Sequence, residues 1–91
     1  MYAVVVRETG QREAIEGGAE LLTTSLLPRL REAPGIVSAS FMSDREGATL
    51  NVLVFDSEEA AQAALQLTRN AARPGFLQLE SADLYLVLAH F

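Results

Sequence analysis

The chain contains no cysteine, no tryptophan, no lysine and a single histidine. Without cysteine it has no disulfide, thiol nucleophile, iron–sulfur cluster or cysteine-held zinc. One histidine excludes a multi-histidine metal site within one chain, and no other metal-ligand spacing is present. Basic residues are scarce: seven against twelve acidic ones, for a net charge of −5. All seven are arginines, and they are scattered. Phosphate backbones are bound by clustered positive charge, so nucleic acid is not expected as a partner, nor is an anionic membrane. No apolar run approaches the ~18 residues that span a bilayer. Met1 to Arg7 lacks the basic start and long apolar segment of a signal peptide, so a cytoplasmic location is expected.

What the chain does have is apolar residues, 49% of its 91. That suits one small domain, residues 1–91, with a real core. Its centre is Ile36 to Phe55. Two apolar runs, Ile36–Met42 and Ala48–Phe55, flank Ser43-Asp44-Arg45-Glu46-Gly47. This is a β-hairpin signal, with Gly47 at a positive φ.

The rest of the chain frames that hairpin. Tyr2 to Arg7 is β-branched and predicts a first strand, and Glu8 to Arg12 a polar connection. Ile15, Ala19, Leu22, Leu26, Leu30 and Ala33 then recur at helical spacing, after a start blurred by Gly17-Gly18. Pro28 interrupts this pattern and cannot donate to the Thr24 carbonyl. A kink is expected there, with the Thr24 or Ser25 hydroxyl near the freed groups. Pro34-Gly35 ends the helix. Asp56 and Glu59 form a capping-box pattern for a second helix, with Ser57 as the alternative cap. Ala60, Ala64, Leu67 and Ala71 form its apolar row, beside Ala61, Leu65 and Thr68. Arg73-Pro74-Gly75 stops it. Phe76 to Leu79 fits either a helical turn or an extended lead-in, and Leu84 to Phe91 predicts the last strand.

The order β-α-β-β-α-β implies a ferredoxin-like α+β fold: a four-stranded antiparallel sheet with two helices on one face. Such a sheet normally alternates apolar and polar residues. These strands are apolar on both faces. Leaving the second face in water exposes an unusually large patch. A second copy packed sheet to sheet covers it, so a homodimer is expected. Another route is a monomeric regulatory domain whose second face something else covers.

At this point the chain resembles a known family. Leu27-Pro28-x-Leu30-x-x-x-Pro34-Gly35, the Asp44-Arg45-Glu46-Gly47 hairpin and Phe55-Asp56-Ser57-Glu58-Glu59-Ala60 look like the dimeric α+β barrel superfamily, in the branch of antibiotic-biosynthesis monooxygenases. The resemblance covers nearly the whole chain. It implies a homodimer with a ligand cavity between helices and sheet. For an enzyme it implies cofactor-independent oxidation of an aromatic substrate. Haem-degrading members use an asparagine, a tryptophan and a histidine. This chain lacks the tryptophan, and neither Asn51 nor Asn70 stands in a match to that motif, so no cofactor is expected. The alternative is a non-catalytic ligand-binding or assembly module of the same fold.

Six residues are candidates for a site. Asn51 is a polar amide in mid-strand, read as a donor to a substrate carbonyl or as a satisfied buried amide. His90 and Tyr85 are candidates for proton transfer. Alternatively, His90 is a partly exposed histidine at the end of the chain, and Tyr85 a core or interface aromatic. Arg7 is a candidate for an anionic group, or pairs with Glu8, Glu80 or Asp83. Ser38 and Ser40, expected on one face with Ile36 and Met42, are candidates to contact a small ligand or mark an edge strand. Arg69 and Arg73, one turn apart, suit a carboxylate clamp or plain capping of the helix end. No Gly-x-Ser-x-Gly elbow is present, and the lone histidine has no evident orienting acid, which argues against a serine hydrolase.

Overall fold

β1 (Tyr2–Gly10) is flanked on both sides by antiparallel partners, β3 (Ala48–Phe55) and β4 (Leu77–Leu86). β2 (Ile36–Ser43) pairs with the far edge of β3, so the sheet runs β2-β3-β1-β4. The computed structural model describes residues 1–91. This is the ferredoxin-like α+β arrangement expected from the order of elements.

The hairpin turn forms as its residues dictate. The Asp44 carboxylate accepts from the backbone N–H groups of Glu46 (2.7 Å) and Ala48 (3.0 Å). Gly47 has φ +100°, and a Cβ there would lie 2.7 Å from the Gly10 carbonyl oxygen. Only glycine fits that approach. The Gly10 N–H donates to the Gly47 carbonyl at 2.8 Å, tying the turn to β1.

Both terminal strands differ from expectation. β1 continues to Gly10 rather than ending at Arg7. β4 covers Leu77–Leu86, not Leu84–Phe91. The reason is register: Gly10 pairs with Leu77 and Tyr2 with Leu86, across a bulge at Arg7/Glu8. Beyond Leu86 β1 has almost no backbone left to pair with, and one bond, from the Val87 N–H to the Met1 carbonyl, closes the ladder.

The first helical region is an arm of four pieces. They are α1 (Arg12–Gly17), α2 (Ala19–Leu21), a π-helical turn (Leu22–Leu26) and α3 (Leu27–Leu30). Pro28 sits in the first turn of α3, where its missing N–H costs little. The strain is absorbed upstream by the π turn rather than by a simple kink. The Thr23 and Thr24 hydroxyls donate to the Ala19 and Glu20 carbonyls, while Ser25 makes no such bond. No residue of the arm is buried.

α4 (Glu58–Asn70) packs directly on the sheet. Its cap is Ser57, whose Oγ accepts from the Ala60 N–H; Asp56 instead donates its N–H to the Gly35 carbonyl. Ala61 and Leu65 are its buried residues, and they join Val4, Val6, Leu53, Phe55 and Ala82 in the core. Leu67, expected in the apolar row, is 73% exposed, because the inward face follows Ala61–Leu65–Thr68. The opposite face of the sheet carries Val5, Leu50, Val52, Met42 and Tyr85 and has no covering element.

Candidate functional site

Because α4 rests on the sheet and the arm stands away from it, a cavity of about 870 Å³ opens between arm and sheet. Its roof is the inward row of the arm: Ile15, Ala19, Leu22, Leu26 and Leu30. Its floor is the helix-side face of the sheet, where Val6, Phe41 and Leu53 surround three polar side chains, Glu8, Thr49 and Asn51. The segment after α4, with Ala71, Ala72, Arg73 and Pro74, closes one end together with Phe76. The volume and the apolar walls with a few convergent polar groups suit a drug-sized organic ligand.

The polar groups meet for a geometric reason. Alternate residues share a face, so the extra length of β1 puts Glu8 in line with Val4 and Val6. Across the ladder Glu8 faces Thr49, and Val6 faces Asn51. Asn51, 7% exposed, donates from Nδ2 to Glu8 Oε1 at 3.0 Å. Arg73 donates from Nε to Glu8 Oε2 at 2.7 Å and from Nη1 to the Ala71 carbonyl. The Glu8 and Arg73 side chains are only 11% and 15% exposed, so their charges compensate each other within the wall. Thr49 Oγ1 is sealed from bulk water and has no hydrogen-bond partner. A buried hydroxyl without a partner carries an uncompensated desolvation cost.

The candidate residues are placed as follows. Asn51 lies on the cavity floor, with one amide N–H committed to Glu8. Arg7 and Tyr85 lie on the opposite face of the sheet, Tyr85 half exposed. Ser38 and Ser40 lie there too. A bulge between Ile36 and Ser38 separates them from Ile36, which faces Phe55 on the helix side. His90 lies in the exposed segment beyond β4, not on a strand face. None of these five borders the cavity of its own chain. Arg7 makes no ion pair. Asp83 lies 4.0 Å from Arg69, and Glu80 accepts from Thr9. Arg69 spends its guanidinium on the Ala82 carbonyl, so it forms no clamp with Arg73.

Glu8 and Thr49 are not among the expected site residues, and Arg73, expected to clamp a carboxylate with Arg69 or to cap the helix end, holds the Glu8 carboxylate without Arg69. The signal for Glu8 was simple alternation along Tyr2, Val4, Val6 and Glu8. It is lost when the strand is ended at Arg7. No group of three metal-ligating side chains is present.

Among known sequences, no protein-family profile and no curated protein matches the chain. The likeness is structural. A monooxygenase from the gene ActVA-Orf6 of Streptomyces coelicolor, solved with nanaomycin D, superposes with a TM-score of 0.63 at 21% identity over 99% of this chain and 89% of its own. A dimeric ferredoxin-like protein from an uncultured marine organism gives 0.64 at 13% identity, covering 100% and 98%. The fold shared with both is the ferredoxin-like α+β fold. A third structure, from Chloroflexus aurantiacus and described as an antibiotic biosynthesis monooxygenase, gives 0.59 at 17% identity, covering 99% and 95%. No helix of the chain is long and apolar enough to cross a membrane.

Proposed function

We propose that the protein is a homodimeric, cofactor-independent monooxygenase acting on an aromatic substrate in the cavity between arm and sheet. The observation that carries this reading is the apolar cavity with Asn51 on its floor. A barrel whose sheet served packing alone has no use for such a space.

The chemistry needs little from the protein. A phenol-type substrate loses a proton, and its ring carbon, now carbanion-like, reacts with dioxygen. The peroxide formed there takes up a proton and loses water, leaving a quinone. One oxygen atom enters the product and the other leaves as water, so dioxygen accepts all four electrons. The cavity supplies apolar walls around the ring, and Asn51 positions the substrate hydroxyl before it ionises. The dimer is supported by the apolar second face of the sheet and by the dimeric state of a structural relative.

An oxygen-uptake screen with anthrone- and quinol-type compounds tests this. Turnover by the wild type and its loss in Asn51→Ala is the expected result. Undiminished turnover in Asn51→Ala removes Asn51 from the mechanism. No turnover with any such compound leaves the barrel as a binding module.

A further inference from the structure

Resting on the reading of the cavity as a ligand pocket, we infer that its floor selects for a hydroxyl over a carbonyl, and that Glu8 is the positioning residue that sets this preference. The Arg73 guanidinium holds Glu8 Oε2 at 2.7 Å, leaving Oε1 to face Asn51 at 3.0 Å. An ionised carboxylate is an acceptor only, so Asn51 must turn its NH₂ end toward it. The orientation of this amide is therefore dictated chemically, where an isolated asparagine is ambiguous.

The consequence falls on the other end of the amide. Asn51 Oδ1 accepts no hydrogen bond from the protein. The one side-chain polar atom that is both sealed from water and unpartnered is Thr49 Oγ1, so Asn51 Oδ1 keeps accessible surface. Thr49 and Asn51 are two residues apart on β3 and share its helix-side face. The floor thus offers the cavity an accepting amide oxygen, while the Thr49 hydroxyl beside it is covered by protein atoms. A ligand hydroxyl satisfies that oxygen by donating to it. A carbonyl in the same place faces the amide oxygen with lone pair against lone pair.

Glu8→Gln reverses the polarity. Arg73 has only donors, so it keeps the amide oxygen of the new side chain. The new NH₂ then faces Asn51, and Asn51 rotates its oxygen toward it. The ligand side now meets an N–H.

The test is binding of two probes on one ring skeleton, 1-naphthol and 1-tetralone, to the intact protein, titrated under nitrogen by NMR. The wild type should prefer 1-naphthol by about tenfold, the worth of one buried hydrogen bond. In Glu8→Gln that preference should vanish or invert. If Glu8→Gln does not fold, Glu8→Gln combined with Arg73→Met removes the buried cation as well, and there the preference should fall toward unity. A wild type that binds both probes equally, or tetralone better, overturns the inference and leaves the pocket reading standing. A preference that survives in the folded variant takes Glu8 out of the role. A wild type that binds neither probe overturns the pocket reading and this inference together.

Discussion

Arg73 and Glu8, 65 residues apart in sequence, join the segment after α4 to the centre of the sheet through a 2.7 Å bond. The contact sits in the cavity wall, closes one end of the space and orients Asn51 on the floor. Both side chains are largely withdrawn from water, so neither charge tolerates loss of the other.

Arg73→Met should therefore destabilise the fold by about 3 kcal/mol, because it strands the Glu8 carboxylate. Glu8→Gln added to Arg73→Met should recover most of that loss. Urea unfolding of the single and double variants checks this. Additive losses in the double variant would show that the two side chains do not compensate each other.

Ser57→Ala should cost about 1 kcal/mol by removing the acceptor for the Ala60 N–H at the start of α4. Asp56→Ala should cost less, since the bond Asp56 makes to Gly35 comes from its backbone. Denaturation midpoints rank the two. A larger effect at Asp56 would return the capping role to it.

The Asp44 carboxyl is held below its ordinary value of 3.8, first by the Ala48 N–H and then by the Glu46 N–H. The depressed value sets the sign. The charged form favours the folded turn, so its contribution is present above 3.8 and fades as the pH falls through the lower, folded-state value. Asp44→Asn keeps an acceptor but removes the titration. Its unfolding midpoint should fall less steeply than that of the wild type as the pH drops below 3.8. Parallel acid limbs would show that the turn draws nothing from the charge.

The uncovered sheet face makes a prediction about mass. Light scattering behind a sizing column should give about twice 9.8 kDa at micromolar protein. Val52→Glu, in the middle of that face, should give the monomer, since it buries a charge in any sheet-to-sheet contact. A monomeric wild type removes the dimer from the proposed function. A dimeric Val52→Glu places the interface elsewhere.

Much of the fold was legible because its signals are local. The hairpin turn needs a glycine at positive φ against another strand, and Gly47 stands where the apolar runs break. The order of strands and helices follows from periodicity, and the paired β-α-β units leave one common topology. Ser57 and Asp56 were both visible as caps, but the choice waited on which side chain reached the Ala60 N–H. The fate of Pro28 was hidden as well. A π turn upstream spreads its effect over residues that look like ordinary helix.

The sequence by itself determined the ferredoxin-like order, the absence of thiol and multi-histidine chemistry, and the presence of a polar amide, Asn51, in an apolar strand. The tertiary structure alone decided what that amide faces. The face a residue occupies depends on where its strand ends and where a bulge falls, and both are set by pairing with distant backbone. That is why Glu8 turned inward, why Ser38 and Ser40 parted from Ile36, and why His90 fell beyond the last strand. Arg73 reached Glu8 only because the chain after α4 folds back over the sheet. No local pattern in Arg73-Pro74-Gly75 carries that information, since the contact is a property of the closed fold.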